Sequence, residues 1–535
     1  MLAVSLLFAG TVVAQERVHT EPPVYVTAID LIAEVRGADG KLSRDLKAED
    51  FTVLEDDVER KVIGLEYLDA PAPDESGTSV PYMGAKPEWQ IVVYFDSLFS
   101  STINLRHVSN ALAAQAEELA AKGPVEVVVG DMKTSLVLPA TRDVEAIRRG
   151  LKEAGLRGAK DFLTVNRRRF AADLDDKAST PAKNTTRGNE AGMAPVAQPM
   201  VRLEQVRPYV MQEIEMAQRF RRNLLEWMAR YPRQRPRLLL LVSGGFEYDP
   251  VAYYFGFSQG SKDAQRAREE FSQYDLGAPI NAMAKTLAAS AWTMISVDSP
   301  SGAGEAWIDD GGRSGIGRVR NLTVDHPGTG SAFTSRSSRD PLLEFADATG
   351  GSVVQRSQIG EMISDLGGRV KITYQVSRPP DGKTHKVAVR TNRPGMTVRT
   401  MKWSSEATPD DIAAVRAAQI LRDGDSLGEL PTTLKVEWTP GTTGVRSGNI
   451  VVDSSLAPIA SVLASRRSAF RVTILARQSG QQPMLLHRIV NDYDPSKGKF
   501  RYTAPITAPS SKLELAIVVE ELSTGVWGGA RTQVQ

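Results

Sequence analysis

The chain has 535 residues, 41% hydrophobic and 24% charged, with a formal net charge of +1. That suits a soluble protein of roughly three or four domains, with no global electrostatic attraction for nucleic acid. It has no cysteine and five histidines, which excludes disulfides and cysteine nucleophiles and leaves little for histidine metal sites or general bases.

Residues 1–14, MLAVSLLFAGTVVA, form an apolar run that ends in small residues. It predicts a secretory signal cleaved after Ala14; the usual Lys/Arg head is missing, and the alternative is a short buried strand. No later run approaches the ~20 apolar residues of a spanning helix. The expectation is a secreted or periplasmic protein with no membrane span. Residues 15–23, with Pro22 and Pro23, read as a tether.

Residues 24–67 alternate as an N-terminal β segment. A phase shift near Ala28–Ile29 predicts a bulge and Asp39-Gly40 a hairpin turn. DFTVLEDDVERKVIGLEYL predicts two more strands, with Leu46, Phe51, Val53, Val62 and Ile63 facing inward. A Pro/Gly-rich linker follows, DAPAPDESGTSVPYMGAKPE.

Over residues 88–358 strands alternate with helices. The strands are QIVVYF, VEVVVGD, TSLVL, RLLLLVSGG, WTMISVD and SVVQ. The helices are NLRHVSNALAAQAEELAAKG, closed by Gly123, then DVEAIRRGLKEAG, a long one from Leu203 to Tyr231, APINAMAKTLAASA and PLLEFADATGG. A polar stretch at about 176–200 reads as a mobile insertion and the Gly/Ser-rich 300–338 as a long loop. Apolar strands alternating with helices imply a doubly wound, mostly parallel α/β sheet covered on both faces. Residues 369–404 return to β structure, with a turn at Pro380–Asp381–Gly382. They are expected to pair with 24–67, because neither half has strands enough to bury a face alone. After a short polar helix and linker, 429–535 has the pattern of a C-terminal β-sandwich.

The order of these segments carries a resemblance. DGKLSRDLKAEDFTVLEDDVERKVIGLEYL, IVVYFDSLFSS, LVLPATRDVEAIRRGLKEAG, RPRLLLLVSGGFEYDP, AWTMISVDSPSG, LLEFADATGGSVV and DGKTHKVAVRTNRPGMTVRTMKW follow one another as in a bacterial, Acidobacteria-type family of von Willebrand factor A (VWA)-related proteins. No single motif is specific; the order and spacing are. The resemblance covers about 24–404 and implies a VWA-type, Rossmann-like sheet with its ligand site at the strands' C-terminal edge. It also implies adhesion or assembly rather than catalysis.

Metal-binding members of that family use a DxSxS loop, a threonine and a further aspartate, because Mg²⁺ needs converging oxygen ligands. Here Asp96 and Ser100 match, Leu98 replaces the middle serine, and Gly244 of VSGG stands at the aspartate position. Thr141 and Thr164 both remain open for the threonine. The expectation is a degenerate site with no cofactor, Mg²⁺ being the alternative through Asp96 and Ser100. Asp96 would instead cap the next helix. The expected binding edge comprises Asp96, Ser97, Ser100, Asp131, Ser243, Gly244, Glu247 and Asp298, facing a protein partner, with Asp249 nearby.

Other chemistry is weaker. Ser243 follows a buried strand as a hydrolase nucleophile would, but lacks the preceding glycine of a G-x-S-x-G elbow and a placed histidine. GRSGIGRVRN follows no strand. In TVNRRRF and RFRRNLLEWMARYPRQRPR the arginines read as a solvated face, because Phe220, Leu224, Trp227 and Met228 form a core stripe; nucleic acid is not expected. Asn184 and Asn321 sit in glycosylation sequons. The expectation is a non-catalytic binding protein of adhesion type. The alternatives are a Mg-dependent VWA adhesin and a hydrolase with an unrecognised site.

Overall fold

The computed structural model describes residues 27–68, 88–178, 202–229, 236–255, 262–298, 339–423, 427–439, 445–463, 467–478, 483–494, 497–509 and 513–534. The expected signal at 1–14, the tether, the linker after Leu68, the loop at 300–338 and both sequons lie outside them.

The first segment gives β1 (Thr27–Arg36), β2 (Phe51–Glu55), β3 (Val58–Arg60) and β4 (Val62–Tyr67). Three strands, not two, thus follow the first turn. Asp56 and Asp57 form the tight β2–β3 turn at φ 48° and 62°, left-handed values that Asp tolerates better than most residues. Gly40, at φ 76°, makes the expected turn, but the chain returns in only a single bridge, Arg36 to Leu42.

β1 carries no bulge at Ala28–Ile29; it pairs in continuous register from Thr27 to Ala33. The phase shift has another cause. Ile29, Leu31, Ala33 and Val35 face one core and Ile32 faces a second, so β1 is buried on both sides. Ile63 is exposed, not inward, because the β4–β11 register shifts there: Val62 pairs with Tyr374 and Gly64 with Thr373, so Ile63 is the extra residue of an irregularity.

The middle of the chain builds a six-stranded sheet. In chain order it holds β5 (Gln90–Asp96), α1 (Thr102–Ala114), α2 (Ala116–Lys122), β6 (Val125–Gly130), β7 (Thr134–Thr141), α3 (Val144–Leu156) and α4 (Phe162–Ala178). There follow α5 (Leu203–Met228), β8 (Arg237–Ser243), α6 (Pro250–Phe255), α7 (Lys262–Phe271), α8 (Gly277–Ala289) and β9 (Trp292–Asp298). α9 (Asp340–Thr349), β10 (Ser352–Val354) and α10 (Ile359–Asp365) complete it. The order is β10-β9-β8-β5-β6-β7, parallel except for β7. One apolar core lies on each face, with Phe99, Phe220 and Trp292 in one and Trp89, Phe95 and Ile363 in the other.

The single helix expected over 104–123 is two helices, α1 from Thr102 and α2 to Lys122, meeting at Gln115. α4 runs to Ala178, into the stretch expected to be mobile, whose remainder lies outside the described residues. The α/β core also continues past 358, since Ile359, Met362, Ile363 and Leu366 pack in it.

The chain then adds β11 (Val370–Val376), β12 (His385–Thr391), β13 (Thr397–Thr400) and β14 (Trp403–Ser404). These intercalate with the first segment as sheets β13-β1-β11-β4 and β14-β12-β2-β3, which enclose Leu31, Phe51, Val53, Ile372 and Tyr374. The sandwich rests on α8, where Ala288 joins its core and the Lys285 ammonium lies 4.2 Å from the Trp403 ring.

Last come α11 (Pro409–Asp423), β15 (Leu427–Gly428), β16 (Thr432–Trp438), β17 (Val445–Ser455), α12 (Ala460–Leu463), β18 (Ser468–Gln478), β19 (Met484–Tyr493), β20 (Lys499–Pro509), β21 (Leu513–Glu521) and β22 (Trp527–Val534). They form sheets β15-β22-β21-β18-β19 and β16-β17-β20 around Phe470, Phe500 and Leu515, with α11 on the outer face.

Candidate functional site

In the central sheet β5 leads to β6 on one side, while β8 returns on the other. The strand order reverses between β5 and β8, the place where open α/β sheets bind ligands. Asp96 ends β5 and Ser243 ends β8, so the sequence candidates do meet at that point.

They meet by closing on one another. Asp96 is fully buried. Its Oδ1 accepts from the backbone N–H of Leu98 (3.0 Å) and Phe99 (3.3 Å). Its Oδ2 accepts from the Ser243 hydroxyl at 2.6 Å. The Ser243 oxygen accepts in turn from Gly245 N–H at 3.0 Å, and the Ser100 hydroxyl from Gly244 N–H at 3.1 Å. Ser97 donates to the Gly130 carbonyl.

Asp96 therefore holds its own loop rather than capping α1, whose cap is Ser101, accepting from Asn104 N–H at 3.2 Å. Burial pushes the Asp96 carboxyl up to about 6, against the opposing bonds from Ser243, Leu98 and Phe99.

Leu98 and Phe99 point into the core. Phe99 meets Phe246 at 5.2 Å between ring centroids and Phe220 at 6.1 Å. The position expected to lack an oxygen ligand is thus a packing position. Of the two candidate threonines, Thr141 pairs with Val125 at the start of β6 and so lies at the opposite end of the sheet. Thr164 lies beyond a loop held against the first one by bonds from Lys160 N–H to Ser97 O (2.7 Å) and Phe162 N–H to Leu98 O (2.8 Å). Among the described residues its buried hydroxyl has no hydrogen-bond partner.

The eight expected edge residues do not form one exposed surface. Asp96, Ser97, Ser100, Ser243 and Gly244 are buried; Asp131, Glu247 and Asp298 reach solvent, each against a base. Asp131 pairs with Lys160 at 2.8 Å, Glu247 with Arg167 at 3.1 Å and Asp298 with Arg339 at 3.5 Å. Burial holds the Glu247 and Asp298 carboxyls above their usual range, with Arg167 and Arg339 opposing. Asp249 accepts from Val251 N–H and starts α6.

A polar network beside this edge was not legible. Arg167 bridges Glu213 (3.2 Å) and Glu247, and Glu213 accepts from Tyr254 at 2.5 Å. Asn166 donates to Tyr254 at 2.7 Å. Arg167 belongs to the run read as a solvated face, yet its side chain is only 10% exposed. Burial disfavours its charge, but Glu213 and Glu247 outweigh that and hold the guanidinium above its usual range. The available signal was Glu213 itself, a carboxylate at helical spacing within the apolar stripe of Val206, Val210, Ile214 and Ala217.

Among the described residues one His/Asp/Glu group brings ligand atoms within 4.8 Å of one another: Asp381, His385 and Glu406, in the N-terminal sandwich. Arg378 already ion-pairs with Glu406 and sits 2.8 Å from Glu55, so a guanidinium supplies the positive charge there. No described helix is long and apolar enough to cross a membrane.

No family model and no curated protein sequence matches the chain. Solved structures similar to parts of it include the conserved hypothetical protein BatB from Bacteroides thetaiotaomicron, at 11% identity over 52% of this chain and 98% of that one, TM-score 0.23. Manganese-loaded TRAP protein from Plasmodium vivax is 9% identical over 60% of this chain and 95% of that one, TM-score 0.21. The pilus adhesin SpaC from Lactobacillus rhamnosus GG is 9% identical over 90% of this chain and 58% of that one, TM-score 0.22.

Proposed function

We propose that the chain is an exported, non-catalytic protein of adhesion type whose VWA-like α/β domain binds a protein partner without a metal ion. The observation that carries the metal-free part of this reading is the closed state of the Asp96 carboxylate. Both its oxygens are engaged by Leu98, Phe99 and Ser243, and it has no exposed surface. A Mg²⁺ ion would need those oxygens turned toward an open coordination position. Leu98 and Phe99 resist such a turn, because moving them empties core volume.

The same cluster speaks against a hydrolase. The Ser243 hydroxyl is buried and already both donates and accepts, so it presents no free nucleophile. What remains for contact at this edge is the ring of Asp131, Glu247 and Asp298 with their paired bases. Calorimetric titration of the whole chain with Mg²⁺ and Mn²⁺ tests the metal-free reading. No saturating heat is expected for the wild type; heat saturating at micromolar metal and lost in Asp96→Asn would overturn it.

A further inference from the structure

A small cavity lies beyond the end of β8, where the chain turns into α6. It encloses about 170 Å³, too little for a drug-sized ligand but enough for one compact group. The buried part of its lining is aliphatic and aromatic: Ile214 of α5, Tyr248 just before α6 and Phe271 at the end of α7. Tyr274 adds a third, half-buried ring. Its centroid lies 6.3 Å from that of Phe271, with the planes inclined at 48°, so these two rings form an angled wall and not a stack. A bond from Leu276 N–H to the Tyr248 carbonyl (3.4 Å) ties the two sides of the cavity together.

The exposed part of the lining is acidic. Asp249 and Asp275 both stand there. Each is fixed through Oδ1 by a backbone N–H two residues on, from Val251 and Gly277, at 3.0 Å in both cases. Among the described residues the lining holds these two carboxylates and no base. The complementary ligand is therefore a cation. A primary ammonium is strongly hydrated and would have to shed water from its N–H groups to enter an aromatic floor. An ammonium whose nitrogen carries methyl groups has no such N–H groups to desolvate, and the faces of aromatic rings attract it.

We propose that this cavity binds the quaternary ammonium group of a choline-type solute or lipid headgroup. The methyl groups lie among Tyr248, Phe271 and Tyr274, and Asp249 and Asp275 balance the charge at the rim. The site does not depend on the metal-free reading of the Asp96 cluster.

The test uses the full chain and choline chloride, followed by broadening of the N-methyl proton resonance. The controls are butylammonium and the uncharged tert-butyl alcohol in which carbon replaces the choline nitrogen. Saturable choline binding at millimolar concentration or below is expected, with much weaker binding of both controls. Tyr274→Leu, which removes one ring, and Asp275→Asn, which removes one charge, should each weaken choline binding roughly fivefold. The asparagine keeps an oxygen for Gly277 N–H, so this variant carries the test should Tyr274→Leu lose its native circular dichroism. Pelleting with phosphatidylcholine vesicles would support the site with a lipid headgroup as its source; binding of choline without pelleting would support it with a free solute. No choline binding by the wild type overturns the proposal, as does equal binding of the uncharged alcohol or of butylammonium, or unchanged affinity in the folded variants.

Discussion

Replacing Asp96 by asparagine separates a buried scaffold carboxylate from a metal ligand. Asparagine keeps the shape and an oxygen for Leu98 and Phe99 N–H, and its amide can donate to Ser243. The wild-type carboxyl rises from 3.8 to about 6, which at ~1.4 kcal/mol per pH unit is a penalty of ~3 kcal/mol for keeping the folded state ionised.

The sign follows from proton counting. Between about pH 4 and 6 the folded chain holds a proton that the unfolded chain has released, so stability falls as pH rises through that window and is level above it. Near pH 4 the neutral acid and the amide make equivalent bonds, and the two proteins should match. At pH 7 Asp96→Asn should be more stable by ~3 kcal/mol. Asp96→Ala, which leaves two buried N–H groups and a hydroxyl without acceptors, should fall ~3 kcal/mol below the asparagine variant. Amide exchange of the β5 core from pH 4.5 to 7.5 reads these differences in the unit concerned. A pH-independent difference, or an asparagine variant less stable than wild type at pH 7, would refute the reasoning.

Other substitutions test neighbouring parts. Phe99→Ala empties a site among Phe220, Phe246 and Leu98 and should cost ~3–5 kcal/mol in chemical denaturation; a loss below ~1 kcal/mol would mean that the loop is not a core element. Gly350 sits at φ +71°, and a Cβ there would lie 2.4 Å from the Thr400 backbone, so Gly350→Ala should loosen the junction of sandwich and sheet. Faster proteolysis between Gly350 and Thr400 than in wild type is the expected readout.

His385 contacts Asp56 at 2.7 Å and Asp381 at 3.2 Å. Burial would lower its affinity for a proton, but these carboxylates win and raise it above 6.5, with Arg378 opposing and Glu55 assisting. Its contribution is therefore full below about pH 6.5 and is lost as pH rises through the higher folded value. The N-terminal sandwich should melt earlier at pH 8.5 than at pH 6, and His385→Gln should flatten that difference.

Much of the architecture is written in local pattern. Short unbroken apolar runs such as IVVYF and RLLLLV, alternating with helical segments, have the pattern of strands buried on both faces, and the stripe of Phe220, Leu224, Trp227 and Met228 set the buried side of α5 in advance. The change from strand–helix alternation back to β structure near Arg369 was likewise visible. So were the apolar character of Leu98 and the absence of a side chain at Gly244, because the type of a side chain is a property of sequence alone.

The remainder depended on which distant residues become neighbours. The phase shift near Ala28–Ile29 looked like a bulge because nothing local says that β1 is covered on its second face, where Ile32 packs. Ile63 looked inward because the register shift it occupies against β11 has no local mark. Arg167 looked solvated because its partners, Glu213 and Glu247, lie 46 and 80 residues away. The same holds at the loop that follows β5. Sequence shows an aspartate, two serines and a glycine; only the tertiary structure shows them satisfying one another's hydrogen bonds. Burial and pairing are pairwise, long-range quantities, and a carboxylate becomes a ligand or a brace according to what the fold sets against it.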